Sequence, residues 1–142
     1  MKTIALLFAV LCSSIFATAQ TETKTTGVTI TVTINNATND NGKMLFGLHT
    51  KDTFMKADAI QKQQSKIVNG KTSITFTNIT PGFYGILVVH DENNNKRMDF
   101  ELNGMPKESY GASGNGMSFG PPQFMDAKFT VTDKDVNLEI RL

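Results

Sequence analysis

Val28, Ile30, Val32 and Ile34 alternate with Thr29, Thr31 and Thr33, and this strict period of two constrains the fold more than any other feature of the chain. Successive residues of a strand point to opposite faces, so β-branched apolar residues at every second place describe a half-buried strand rather than a helix. The pattern recurs at Met44, Phe46 and Leu48, and again at Val136, Leu138, Ile140 and Leu142 against Asn137, Glu139 and Arg141. Residues 83–90 are apolar at both parities. A strand of that kind is covered on both faces, and the long loop that follows it is the predicted second cover. Residues 35–42 form a turn cluster, Pro81-Gly82 marks another turn, and residues 128–132 form a sixth strand. Asn69-Gly70 between residues 66–68 and 73–77 is the strongest short hairpin signal. Residues 52–64 lack a clear period; they can hold one or two helical turns capped by Asp52, with Phe54, Ala57 and Ile60 inward. Seven short strands without helical alternation predict an all-β fold, an antiparallel sandwich of immunoglobulin-like type with one long loop.

The N-terminus bears on compartment. Lys2 precedes an apolar run, residues 4–10, that continues through Leu11 and Ile15-Phe16 to the small-residue site Ala17-Thr18-Ala19. This is the pattern of a secretory signal peptide, too short for a membrane span. The expected organisation is a signal at residues 1–19, cleavage before Gln20, and one β-sandwich domain over residues 20–142. Cys12 lies inside the apolar run after Leu11, where a lipoprotein signal wants a small residue, so lipid anchoring is not expected. The mature chain then has no cysteine, hence no disulfide framework and no thiol ligand. Removing Lys2 from 14 Lys+Arg leaves 13 against 13 Asp+Glu. A neutral chain without a basic stripe argues against nucleic acid and anionic membrane as partners. No second apolar run is long enough for a transmembrane segment.

The chemically loaded text follows the most apolar strand. Asp91, Asn93, Asn95 and Asp99 stand at places 1, 3, 5 and 9 of a possible calcium loop, with Glu101 close behind. Hard cations take six to eight oxygens, and a tight loop supplies them from alternate side chains plus backbone carbonyls. Two features depart from the ideal: Lys96 occupies the sixth place, where glycine allows the sharp turn, and Leu102 occupies the twelfth, where a bidentate Glu is expected. The alternative is a polar loop closed by its own Asx turns, with Lys96 and Arg97 neutralising the carboxylates.

Other candidates carry less. His49 and His90 both lie near strand ends and could approach one another, but zinc wants three or four such ligands; packed or hydrogen-bonded histidines are the simpler expectation. Gly111-Ala112-Ser113-Gly114 hints at a nucleophile elbow, yet Asn115 stands where the last glycine belongs. The glycines at 111, 114, 116 and 120 lack the Lys-Ser/Thr of a phosphate loop. Tyr84, just past Pro81-Gly82, is either a corner tyrosine tying down backbone or plain core packing. Met105, Met117, Phe119, Phe124 and Met125 give the long loop an apolar side, expected to fold back onto the sandwich rather than line a ligand groove.

The run from Val88-Val89-His90-Asp91-Glu92-Asn93 to Phe129, with its Gly104-Met105-Pro106-Lys107-Glu108 stretch, resembles the DUF2141 family of exported bacterial proteins, as does Ile79 to Ile86 upstream. The upstream text is also similar, more loosely, to prealbumin-like and carboxypeptidase-regulatory-like sandwiches. The resemblance covers nearly all of the mature chain. It implies an exported β-sandwich with no established enzyme activity, and a family run in which glycine follows the second Asn, where this chain has Lys96. No base, nucleophile and orienter are readable together. The expectation is an exported, periplasmic or secreted, non-catalytic module that binds a protein, glycan or small ligand through its loop face. The alternative is a structural envelope domain whose loop, through Asp91, Asn93, Asn95, Asp99 and Glu101, is stabilised by calcium.

Overall fold

A computed structural model describes residues 27–116 and 120–142. The expected signal peptide and cleavage site and Cys12 lie outside the described residues, as do Met117 and Phe119. Eight strands and one helical turn follow in order: β1 (Val28–Ile34), β2 (Lys43–His49), β3 (Gln61–Ser65), β4 (Thr72–Ile79), β5 (Gly82–Asp91), β6 (Tyr110–Ala112), α1 (Phe124–Ala127), β7 (Phe129–Val131) and β8 (Val136–Glu139). They form a sandwich of two sheets. One is ordered β4-β1-β8; the other is ordered β3-β2-β5-β6, with β7 also on β5. Pairing is antiparallel except between β1 and β8.

The alternation read from the chain sorts its residues onto the two inner faces. Ile30, Val32, Ile34 and Phe76 of the first sheet meet Met44, Phe46, Leu48, Ile86 and Val88 of the second, all essentially without solvent contact. On the outer face of the first sheet the threonines pair across strands, Thr31 with Thr75 at 3.2 Å and Thr33 with Ser73 at 3.3 Å. Tyr84 does both things open to it: it is buried, and its hydroxyl donates to the Thr80 carbonyl at 2.9 Å, closing the Pro81-Gly82 corner.

Three expectations need correction. Asn69-Gly70 does make a tight turn, both residues having positive φ, but only Val68 and Lys71 pair across it. The strand before it, β3, joins β2 in one sheet while β4 joins β1 in the other. The turn is therefore a crossing between sheets, held by Asp40, whose carboxylate accepts the Asn69 and Gly70 N–H groups at 2.8 Å each. In residues 50–57 the turns start at Thr50, whose N–H is received by Thr53 Oγ1, not at Asp52. Phe54 is inward there, but Ala57 and Ile60 are exposed. Finally, the long loop is not continuous: β6 adds an edge strand to β5 within it.

Candidate functional site

β5 ends at Asp91, which pairs with Lys43 of β2 and is 1% exposed. From that anchor residues 92–109 leave the sandwich and return. Asp91 Oδ1 accepts the Asn95 N–H at 3.0 Å and Oδ2 accepts the Lys96 N–H at 2.9 Å. Asn93 Oδ1 accepts the Asn95 N–H and Asn95 Oδ1 the Arg97 N–H, each at 3.0 Å. The amide nitrogens of Asn93 and Asn95 both donate to Asp99 Oδ2, at 2.6 and 2.7 Å. The chain winds this tightly because Asn94 and Lys96 take left-handed conformations, φ 59° and 65°. Asn tolerates that region; for Lys it costs about 1 kcal/mol relative to glycine.

Four of the five expected ligands thus come together: Asp91, Asn93, Asn95 and Asp99. Glu101 does not join them; it is exposed, and its backbone closes a small hairpin further out. The oxygen-rich donor set suits a hard cation, but both Asp91 oxygens and Asp99 Oδ2 already accept N–H groups, and the Asn93 and Asn95 nitrogens, not their oxygens, face Asp99. Among the described residues no three His, Cys, Asp or Glu side chains converge to hold a metal. Lys96 contributes its N–H rather than its ammonium, and Arg97 Nε approaches Asp99 to 3.9 Å.

Glu108 is the residue that spacing alone did not single out. Buried at 7% exposure, it accepts the Glu92 N–H through Oε1 and the Asp99 N–H through Oε2, each at 3.2 Å, and so clamps the outgoing and returning chain. Its signal was its place in the Gly-Met-Pro-Lys-Glu stretch. Beyond the clamp, Lys107 N–H bonds the Asp99 carbonyl, Glu101 N–H the Met105 carbonyl, and Phe100 pairs with Pro106. This hairpin holds Phe100, Leu102 and Met105 out in solvent, Leu102 completely. Met105 and Met125 accordingly do not fold back onto the sandwich. Phe124 does, edge-on to Phe54 with ring centroids 5.7 Å apart.

The two histidines sit at opposite ends of β2 and β5: His49 lies opposite Gly85, and His90 opposite Met44. His49 is nearly buried, with Nδ1 3.3 Å from Thr53 Oγ1 and its ring edge-on to Phe54. Burial lowers its pKa, so the neutral ring is favoured. His90 is fully buried; its Nε2 meets the Asn41 carbonyl at 2.9 Å, while Nδ1 has no hydrogen-bond partner among the described residues and lies 3.9 Å from Glu92 Oε1. Ser113 is no nucleophile in waiting. It is buried, donates to the Ala127 carbonyl at 2.5 Å and accepts the Ile86 N–H at 2.9 Å, tying α1 to β5.

Among the described residues no helix is long and apolar enough to cross a membrane. No curated protein and no solved structure matches the chain. A family's sequence profile does match it, over residues 32–139, which include every strand from the core of β1 to the end of β8 and the whole clamped loop. With that share of its length matched, the chain belongs to the DUF2141 family, uncharacterised proteins conserved in bacteria.

Proposed function

We propose that this protein is an exported, non-catalytic β-sandwich module that binds a protein, glycan or small ligand through the loop face at the end of β5. One observation carries the reading: Phe100, Leu102 and Met105 are exposed together on a hydrogen-bonded hairpin. Contiguous exposed apolar side chains on a braced loop mark a contact surface more often than a packing fault. The use of Ser113 and His49 in internal contacts supports binding over catalysis. Export rests on the leader pattern of residues 1–19. The test is capture of partners from the native envelope by the mature protein, with Leu102→Ser and Phe100→Ser combined as the control. Loss of the captured species in the variant is expected; undiminished capture overturns the reading.

A second reading is favoured by the winding of residues 91–97. Lys96 adopts the left-handed conformation that a calcium loop needs at its sixth place, with its N–H on the first-place Asp91. In this reading a calcium ion is held by Asp91, Asn93, Asn95 and Asp99, with Glu101 or backbone carbonyls, once the two Asn amides turn their oxygens inward. Missing ideal residues at places six and twelve imply weak affinity, on the order of 10⁻⁴ to 10⁻³ M as in extracellular modules. Ligand at about a hundredfold over that constant adds about 2.7 kcal/mol of stability. A melting midpoint unchanged between millimolar calcium and chelator rejects it.

A further inference from the structure

The outer face of the second sheet is a different surface from the loop tip. Its registers set Leu45, Val89 and Tyr110 side by side across β2, β5 and β6, and beside them Gly47, Leu87 and Ala112. Among its described residues, the loop expected to cover this face sets Phe124 over Gly85 and Lys96 beside Leu87 and Val89. Leu45, Gly47, Leu87 and Val89 floor an open groove of about 790 Å³, a size within the range of small-molecule sites. One wall is the segment around Ala57 and Ala59, and Lys96 reaches the groove from the loop. Gly47 lets that wall stand close: a Cβ there would lie 2.9 Å from His49 Nε2 and 3.2 Å from the Ala59 Cβ.

The charges of the groove do not cancel. Lys62 is paired with Asp58 at 2.7 Å, and His49 is held toward its neutral form. Lys96 makes no ion pair among the described residues. It also carries a long side chain at φ 65°, where glycine would be less strained. One lysine without an ion pair among the described residues therefore lines a groove with an apolar floor. We propose that this groove binds an elongated apolar molecule ending in a carboxylate or comparable anion, its body on Leu45, Leu87 and Val89 and its anionic end at Lys96 Nζ.

The test uses decanoate as probe, followed by amide chemical-shift changes in the mature protein, with decanol and decyltrimethylammonium as comparisons. Saturable shifts centred on Gly47, Leu87 and Val89 are expected with decanoate. Decanol should bind roughly tenfold more weakly and the ammonium more weakly still, as loss of a charge-assisted contact implies. Lys96→Gln should weaken decanoate roughly tenfold without changing decanol. Lys96→Gly, which relieves the backbone, repeats the measurement in a variant that keeps its fold. Leu87→Glu should abolish both. No saturable shift at millimolar decanoate, equal binding of all three probes, or shifts centred on Phe100 and Leu102 would each overturn the proposal. Because the hairpin tip is not part of the groove, combined Phe100→Ser and Leu102→Ser should leave decanoate binding intact, so this site and the loop-face reading fail separately.

Discussion

The two faces of the β2–β5 pair are written in nearly the same apolar alphabet and end in different environments. Inward, Met44, Phe46, Leu48, Ile86 and Val88 are sealed by the facing sheet; outward, Leu45, Leu87 and Val89 are only partly covered. The difference lies in what packs above. The inner face meets a whole sheet of matching side chains. Among the described residues the outer face has Phe54 and Phe124 over Gly85, the segment around Ala57 and Ala59, and Lys96 from the loop, beside an open groove. Apolar text is therefore necessary for a core layer but does not by itself say that a layer exists.

The largest effect that would sharpen this contrast is Phe46→Ala on the inner face. It should cost about 3–5 kcal/mol in denaturant unfolding, the loss of a large core ring plus its cavity. A cost under about 1 kcal/mol would mean the inner face is not the core. Asp91→Ala comes next, at about 1–3 kcal/mol, since it removes the acceptor of the Lys96 N–H and one of the two acceptors of the Asn95 N–H. Asp91→Asn should recover part of that, because one acceptor oxygen remains. Leu87→Ala, on the outer face of the same strand as Ile86, should cost about 1 kcal/mol or less, whereas Ile86→Ala should cost about 2–5. Equal costs would erase the distinction between the two faces.

A smaller effect belongs to His49. Its folded pKa lies below the ordinary 6.5, so the unfolded chain binds the proton first. Its contribution is neutral above about pH 6.5 and becomes destabilising as pH falls from there toward the lowered folded value. Between pH 7 and pH 5 the wild-type midpoint should fall more than that of His49→Gln; identical slopes would place the ring in a solvated setting. Smallest of all, Leu102→Ser should change stability by within about 0.5 kcal/mol, because its side chain packs on nothing. A larger loss would show the hairpin tip folded against the body.

Much of the fold was legible in the chain because a strand writes its own face pattern: β1, β2 and β5 stand where alternation or apolar density put them. The site was legible in part. Spacing brought Asp91, Asn93, Asn95 and Asp99 together, since Asx side chains bond backbone two to five residues on and need no distant partner. Glu101 stands away from that cluster and Glu108 was not singled out, for the opposite reason: whether a carboxylate points into the loop depends on where the returning chain lies.

What the sequence by itself determined is the set of local devices: alternating strands, the Asn69-Gly70 and Pro81-Gly82 turns, and the Asx-wound start of the loop after β5. These depend on φ/ψ preference and on neighbours a few residues away. Only the tertiary structure decided that β3 and β4 belong to different sheets, that β8 runs parallel to β1, and that Glu108 clamps the loop. It also decided that the outer face of β5 is only partly covered at Leu87 and Val89 while Phe100, Leu102 and Met105 face solvent. Each of those outcomes turns on which distant surface is available for burial or pairing, and no local pattern encodes that.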